Sequence, residues 1–180
     1  VAGAGYGNPV NPVGLIVSIF RSSDDATIWP FLIPSNYFAV SALRKMGEIA
    51  ADVTHDEALL ADATALADEV DAALAKYARA IHPELGEIIP YETDGYFNFN
   101  FMDDANVPSL LSMPYLGTID RSNPLYLRTR KFVLSKSNPY YFSGISGHGV
   151  GSPHTGTDRI WPIAIIMKGL TASDNHDIVT

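Results

Sequence analysis

The chain has no cysteine, which excludes a disulfide framework and thiolate chemistry within it while leaving the compartment open. It also has no apolar run long enough to cross a bilayer. The most apolar stretch, Ile160 to Met167, is short and carries Pro162, so no membrane partner is expected. Basic residues are few: 12 Lys and Arg stand against 20 Asp and Glu, a net charge of −8 that would repel a nucleic acid. There is no initiator Met, no basic n-region followed by an apolar h-region, and no Asn-x-Ser/Thr sequon, so localisation is left undetermined. Short-period repeats are missing too, which sets aside small-repeat solenoids.

What is present is a composition of 47% hydrophobic and 18% charged residues over 180 positions, enough to bury a core in one domain. Ser35 and Asn36, after Pro34, can cap a helix running to about Ala51. Thr54-His55-Asp56-Glu57 reads as a capping box, with Thr54 as N-cap and Glu57 reaching back. The Ala-rich helix it opens is expected to reach about Ile81, with Leu59, Leu66, Val70, Leu74, Tyr77 and Ile81 on one stripe and Pro83 ending it. Two long helices with a short turn make an αα-hairpin.

From Tyr91 to Phe101 aromatic and polar residues alternate around a turn, as in a short hairpin or an aromatic-lined loop. Further helices are expected from Asn106–Pro108, from Asn123-Pro124 to about Ser135, and from Asp158 to Thr171. The segment from Asn138 to Gly156, dense in Gly, Ser and Pro, reads as loop. At the C-terminal side, Ser173 to Val179 reads as a cap and a first helical turn. Long helices separated by long polar loops suit a toroid of helical hairpins with its loops gathered at one mouth, and loops of this length are usually functional.

Three clusters can carry chemistry. In Phe20-Arg21-Ser22-Ser23-Asp24-Asp25-Ala26-Thr27, adjacent carboxylates beside an Arg can support acid/base work, one proton-holding and one kept ionised; a plain turn with Asp caps is the alternative. In Met102-Asp103-Asp104-Ala105-Asn106, N-capping would occupy Asp104 or Asn106 and leave Asp103 unexplained, whereas paired carboxylates and an amide suit vicinal sugar hydroxyls. The third cluster, Ser146 to Gly156 followed by Trp161, carries His148 and His154. Its glycines lack the Lys-Ser/Thr ending of a phosphate loop, and its histidines lack the spacing and carboxylate of a zinc site, so no metal is expected. Hydrogen bonding from the histidines, with Trp161 as a flat face for a sugar ring or as core, describes a pocket for a neutral polyhydroxylated ligand.

At these clusters the sequence closely resembles glycoside hydrolase family 125, the metal-independent α-mannosidases. The resemblance is carried by the run from Phe20 to Thr27 with Pro30-Phe31-Leu32-Ile33-Pro34-Ser35-Asn36, and by Met102 to Ser112. It continues in Thr129 to Ser135 with Asn138-Pro139-Tyr140-Tyr141-Phe142, and in Gly149 to His154 with Ile160-Trp161-Pro162. It covers nearly the whole chain and is weakest in the Ala-rich helix. It implies an all-α (α/α)6 toroid, no cofactor, and an exo-acting, inverting hydrolase of non-reducing α-1,6-linked mannose. The substrate would be an α-mannoside oligosaccharide or an N-glycan-derived glycan. By similarity the general acid is Asp24 or Asp25, with Arg21, Ser23, Asp103, Asp104, Asn106, His148, His154 and Trp161 as candidate substrate-binding residues. A non-catalytic sugar-binding toroid and a toroid hydrolase of another α-glycoside are the alternatives.

The resemblance also sets an expectation about extent. The family's general base is a Glu in a later His-Glu-Ser-like segment, which does not occur here, and the family domain begins well before the residue that matches Val1. Residues 1–180 are therefore expected to be the central to C-terminal part of one glycosidase domain. The remaining segments of the same enzyme would be its partners, because half a toroid leaves apolar helix faces exposed.

Overall fold

A computed structural model describes residues 7–173, so the helical turn expected from Ser173 to Val179 lies almost wholly outside the described residues. Four helices carry the frame: α1 (Ile33–Ile49), α2 (Glu57–Tyr77), α3 (Pro124–Val133) and α4 (Pro162–Leu170). Seven short strands accompany them: β1 (Phe31–Leu32), β2 (Ala80–His82), β3 (Gly86–Ile88), β4 (Glu92–Thr93), β5 (Phe99–Asn100), β6 (Tyr141–Gly144) and β7 (Gly147–Val150). The all-α expectation thus holds for the frame and is amended by small antiparallel pairings between the helices.

Helix α1 starts three residues earlier than a Ser35 cap implies. Pro34 occupies its first turn, where the missing N–H costs nothing, and Leu32 is the N-cap without a side-chain hydrogen bond. Asn36 is buried and has a different task. Its Oδ1 accepts from Ile16 N at 2.8 Å and its Nδ2 donates to Ile16 O at 3.0 Å, pairing the incoming chain to the helix like a strand partner.

The α1–α2 hairpin forms, but its turn is not a capping box. Helix α1 widens into one π-helical turn, Ala50–Thr54, closed by His55 at φ 52°. Asp56 is the N-cap of α2 and accepts from Leu59 N at 2.9 Å. Thr54 instead donates from Oγ1 to Ala50 O, because the chain has not yet left the helical path there. The buried stripe of α2 is Ala63, Ala67, Val70, Ala73 and Leu74, while Leu59 and Leu66 are exposed. Helix α2 stops at Tyr77, short of Ile81. His82 precedes Pro83 and is driven out of the helical region, so Ala80–His82 pairs with Gly86–Ile88 and Ile81 is 74% exposed.

The expected hairpin from Tyr91 to Phe101 is present as β4 and β5, with β1 on its other side in the order β1-β4-β5. Glu92 sits in the middle strand, opposite Leu32 on one side and Asn100 on the other. The buried Asp94 shapes the turn by accepting from Tyr96 N and Asn98 N.

No helix follows Asn106. After a cis Val107–Pro108 peptide, residues 110–117 make consecutive turns. Ser109 and Ser112 explain why: Ser109 N donates to Ser112 Oγ at 2.8 Å and Ser112 N to Ser109 Oγ at 3.1 Å, local bonds that compete with a helical ladder. Helix α3 runs as expected from its Asn123 cap, which accepts from Leu125 N. The Gly-rich stretch expected to be loop contains the β6–β7 hairpin, since Gly144 and Gly147 permit a tight two-residue turn. Phe31, Tyr91, Tyr126, Phe132, Leu110 and Met113 form the centre of the core, between α2, α3 and the β1-β4-β5 sheet. No described helix is long and apolar enough to cross a membrane.

Candidate active site

The first cluster is a tight loop closed by its own backbone. Phe20 bridges Ala26, Arg21 N donates to Asp25 O at 2.8 Å, and Asp24 N donates to Arg21 O at 3.1 Å. Asp24 occupies the left-handed region at φ 67°, which aspartate tolerates better than most residues, and it projects into solvent. Asp25 is turned back toward the protein.

There Asp25 meets the second and third clusters. Ser23 Oγ lies 3.0 Å from Asp25 Oδ2 and 3.0 Å from Asp104 Oδ2. A hydroxyl has one proton, so it can donate to only one of them at a time. Both contacts are hydrogen bonds only when the other carboxyl carries a proton and donates to Ser23. Asp104, itself buried, has further donors: Asn106 N at 3.0 Å and Asn106 Nδ2 at 2.9 Å on Oδ1, and Ser152 Oγ at 3.1 Å on Oδ2. Among the described residues the Asp25 carboxyl has one other hydrogen-bonding neighbour, His154 Nδ1, at 3.4 Å from Oδ1.

Ser152 links the clusters because it caps a single 3₁₀ turn, Pro153–Thr155, that carries His154. Trp161, the N-cap residue of α4, closes over this turn with its indole Nε1 donating to Thr155 Oγ1 at 2.9 Å. Gly151 makes the approach possible. It donates to Tyr140 O and accepts from Ala105 N, and a Cβ on it would stand 2.1 Å from Arg159 O and 2.7 Å from the Phe142 ring. Gly151→Ala is therefore expected to shift the backbone that presents Ser152. The loss should appear as a destabilisation of about 1–3 kcal/mol in denaturant unfolding of the full-length polypeptide.

Beneath the loop, Arg21 is buried and its Nε donates to Glu92 Oε1 at 2.6 Å. Its guanidinium lies 5.7 Å from the centroid of the Tyr91 ring. Burial, reinforced by Asp104 and Asp103, pushes the Tyr91 phenol well above its ordinary value, so the ring stays neutral. Arg21 Nη2 and the Tyr91 hydroxyl are buried with no hydrogen-bond partner among the described residues.

Of the residues singled out in the sequence, Arg21, Ser23, Asp25, Asp104, Asn106 and His154 converge on this cluster, with Trp161 against its flank and Asp24 at the loop tip. Asp103 is elsewhere in character: it is 0% exposed, and its two oxygens accept from Leu110 N at 2.8 Å and Leu111 N at 3.0 Å. Burial pushes its carboxyl up to about 8 against the pull of those two N–H groups. His148 lies on β7 beside the Tyr141 ring, lining a depression with Arg130, Lys131 and Lys168. Among the described residues no three His, Asp or Glu side chains form a metal-binding group.

Sequence reasoning missed Glu92 and Ser152. The signal for Glu92 was the buried-type setting of Arg21 between apolar segments, which requires a carboxylate partner from somewhere in the chain. Ser152 stands where a cap precedes a proline.

Comparison with known proteins places the whole chain. The curated relative "Meiotically up-regulated gene 157 protein" of Schizosaccharomyces pombe is 40% identical over 179 residues, which cover 98% of this chain and 35% of that protein. A Streptococcus pneumoniae structure is similar with a TM-score of 0.94 and 39% identity, over 98% of this chain and 42% of its own. That structure is described as a non-productive substrate complex with α-1,6-mannobiose, from a study of metal-independent α-mannosidases and the processing of N-linked glycans. The chain thus spans about a third of the curated relative and less than half of the solved one. The family model for metal-independent α-mannosidases matches residues 1–180 from end to end. With both the sequence match and the backbone likeness running the length of the chain, it belongs to glycoside hydrolase family 125, the metal-independent α-mannosidases.

Proposed function

We propose that the polypeptide containing this chain is an exo-acting, inverting α-mannosidase that removes α-1,6-linked mannose from non-reducing ends, with Asp25 as general acid. The observation that carries the reading is the shared Ser23 hydroxyl. It satisfies Asp25 and Asp104 together only when one carboxyl is protonated, and Asp104 already receives three other hydrogen bonds. Asp104 is buried and saturated, whereas Asp25 stays partly open to solvent and is held by Ser23 and His154. Asp25 is therefore the carboxyl placed to reach a glycosidic oxygen, while the Asp24 side chain projects into solvent.

In the reaction, Asp25 gives its proton to the glycosidic oxygen as the bond to the anomeric carbon breaks. Water attacks that carbon from the opposite face and loses its proton to a second carboxylate. Inversion requires the two carboxyls to stand about 6.5–9.5 Å apart, to make room for the water. That base comes from a part of the polypeptide outside these residues. Asn106 and His154 supply the hydrogen-bonding groups for mannose hydroxyls, the buried Arg21 and Asp104 hold the site from beneath, and the Trp161 ring supplies an apolar face.

The domain is an (α/α)6 toroid of which this chain is one part. The relatives' greater length supports that reading, as does α4, which buries Ala164 and Met167 but exposes Ile163, Ile165, Ile166 and Leu170. Such a face requires cover from the rest of the domain. A panel of α-linked disaccharides given to the full-length polypeptide tests the specificity. Mannose release from α-1,6-mannobiose in preference to α-glucosides is expected, and preference for a glucoside would reassign the enzyme.

A further inference from the structure

The buried carboxylate of Glu92 accepts four hydrogen bonds, three of them from the two ends of the loop that bears Asp24 and Asp25. Oε1 accepts from Arg21 Nε at 2.6 Å, at the start of the loop. Oε2 accepts from Ile28 N at 3.1 Å and Trp29 N at 3.3 Å, at its end, and from Asn100 Nδ2 at 2.9 Å across the β4–β5 pair. The side chain is 0% exposed and lies on the central strand of a three-stranded sheet, so it is itself immobilised. One ion thus clamps both ends of a short loop to a rigid element. The two arms are also paired with each other, Thr27 N donating to Ile19 O at 3.1 Å and Ser18 N to Pro30 O at 2.8 Å, and Glu92 fastens that closed loop to the sheet. The other groups close to this clamp are Tyr91, whose ring underlies Arg21, and Tyr140, and neither can substitute for a carboxylate acceptor.

We infer that Glu92 is a positioning residue of the reaction: it sets the place of the acid by clamping the two ends of the Arg21–Trp29 loop, and it does not itself touch substrate. The inference rests on the reading of Asp25 as general acid. A group displaced by about 1 Å from its reacting partner can lose about 100-fold in rate. Glu92→Gln keeps the shape of the side chain but presents an NH₂ to a site surrounded by donors, so the clamp is weakened at one end or the other.

The test compares two substrates on the full-length polypeptide. On α-1,6-mannobiose, whose leaving sugar must be protonated, Glu92→Gln is expected to lower kcat by about 100-fold with KM little changed. On 2,4-dinitrophenyl α-mannoside, whose leaving group departs without an acid, the same variant should run near the wild-type rate. Equal losses on both substrates, or none on mannobiose, would overturn the inference. Should Glu92→Gln not fold, Glu92→Asp, which retains the charge but retracts it by one methylene, carries the same comparison with a smaller loss. Asp25→Asn measured on the same pair separates the two claims. If Asp25→Asn shows the substrate selectivity and the Glu92 variants do not, only the clamp is wrong; if Asp25→Asn lacks it, the acid assignment fails and the clamp with it.

Discussion

Asp25→Asn in the full-length polypeptide is expected to lower kcat on α-1,6-mannobiose by about 10²–10⁴-fold, the contribution of a positioned general acid. An amide cannot deliver a proton to the glycosidic oxygen, but it can still bond Ser23 and His154, the two side chains that flank Asp25 at 3.0 and 3.4 Å. Binding of the substrate and the unfolding midpoint should therefore change little. Asp24→Asn provides the internal comparison, because Asp24 is a neighbour in sequence that faces solvent at the loop tip. It should cost less than Asp25→Asn, through lost contacts to sugar hydroxyls. The reverse order of effects, measured by steady-state kinetics, would move the acid to Asp24.

The second large effect falls on stability. Asp103 accepts from Leu110 N and Leu111 N inside the core, so Asp103→Ala strands two buried N–H groups and should cost about 2–6 kcal/mol. That is a large share of the stability of an ordinary domain. The carboxyl also makes stability depend on pH. Its value is raised in the fold from 3.8 to about 8, so the folded state holds a proton that the unfolded state releases. The stabilisation from this proton is fully present below the unfolded value and is lost as pH rises through about 8. Asp103→Asn, which cannot ionise, removes that dependence. Thermal unfolding of the full-length polypeptide at pH 5 and at pH 8.5 should show the wild type's advantage over Asp103→Asn shrinking as pH rises. An advantage that grows with pH would mean that the two N–H bonds keep the carboxylate ionised.

Both substitutions bear on how far the sequence could be read. Helical spacing and prolines located α3 and α4 and the α1–α2 hairpin, because those elements are governed by local propensity and one-sided burial. The same reasoning placed a helix at Asn106, where Ser109 and Ser112 divert the backbone, and extended α2 to Ile81, where Pro83 acts on the residue before it. It read the β6–β7 hairpin as loop, since strands of four residues with glycines have no periodic signal of their own. At the site, the sequence clusters singled out Arg21, the Asp24–Asp25 pair, Asp104 and His154, but could not say that Asp104 and Asp25 share one serine. That depends on the contact between Ser23 and Asp104, 81 positions apart in the chain. Glu92 escaped for the same reason, as its partner Arg21 is 71 residues away.

Proton NMR of the first moments of α-1,6-mannobiose hydrolysis by the full-length polypeptide tests the central claim most directly. The anomeric signal of newly released mannose reports the face from which water attacked, before mutarotation blurs it. An inverting enzyme with Asp25 as acid and a separate base should release β-mannose first, with the α-anomer appearing only as the sugar equilibrates. Initial release of α-mannose would contradict the account, because it would require a carboxylate nucleophile and a covalent mannosyl intermediate in place of the directly attacking water.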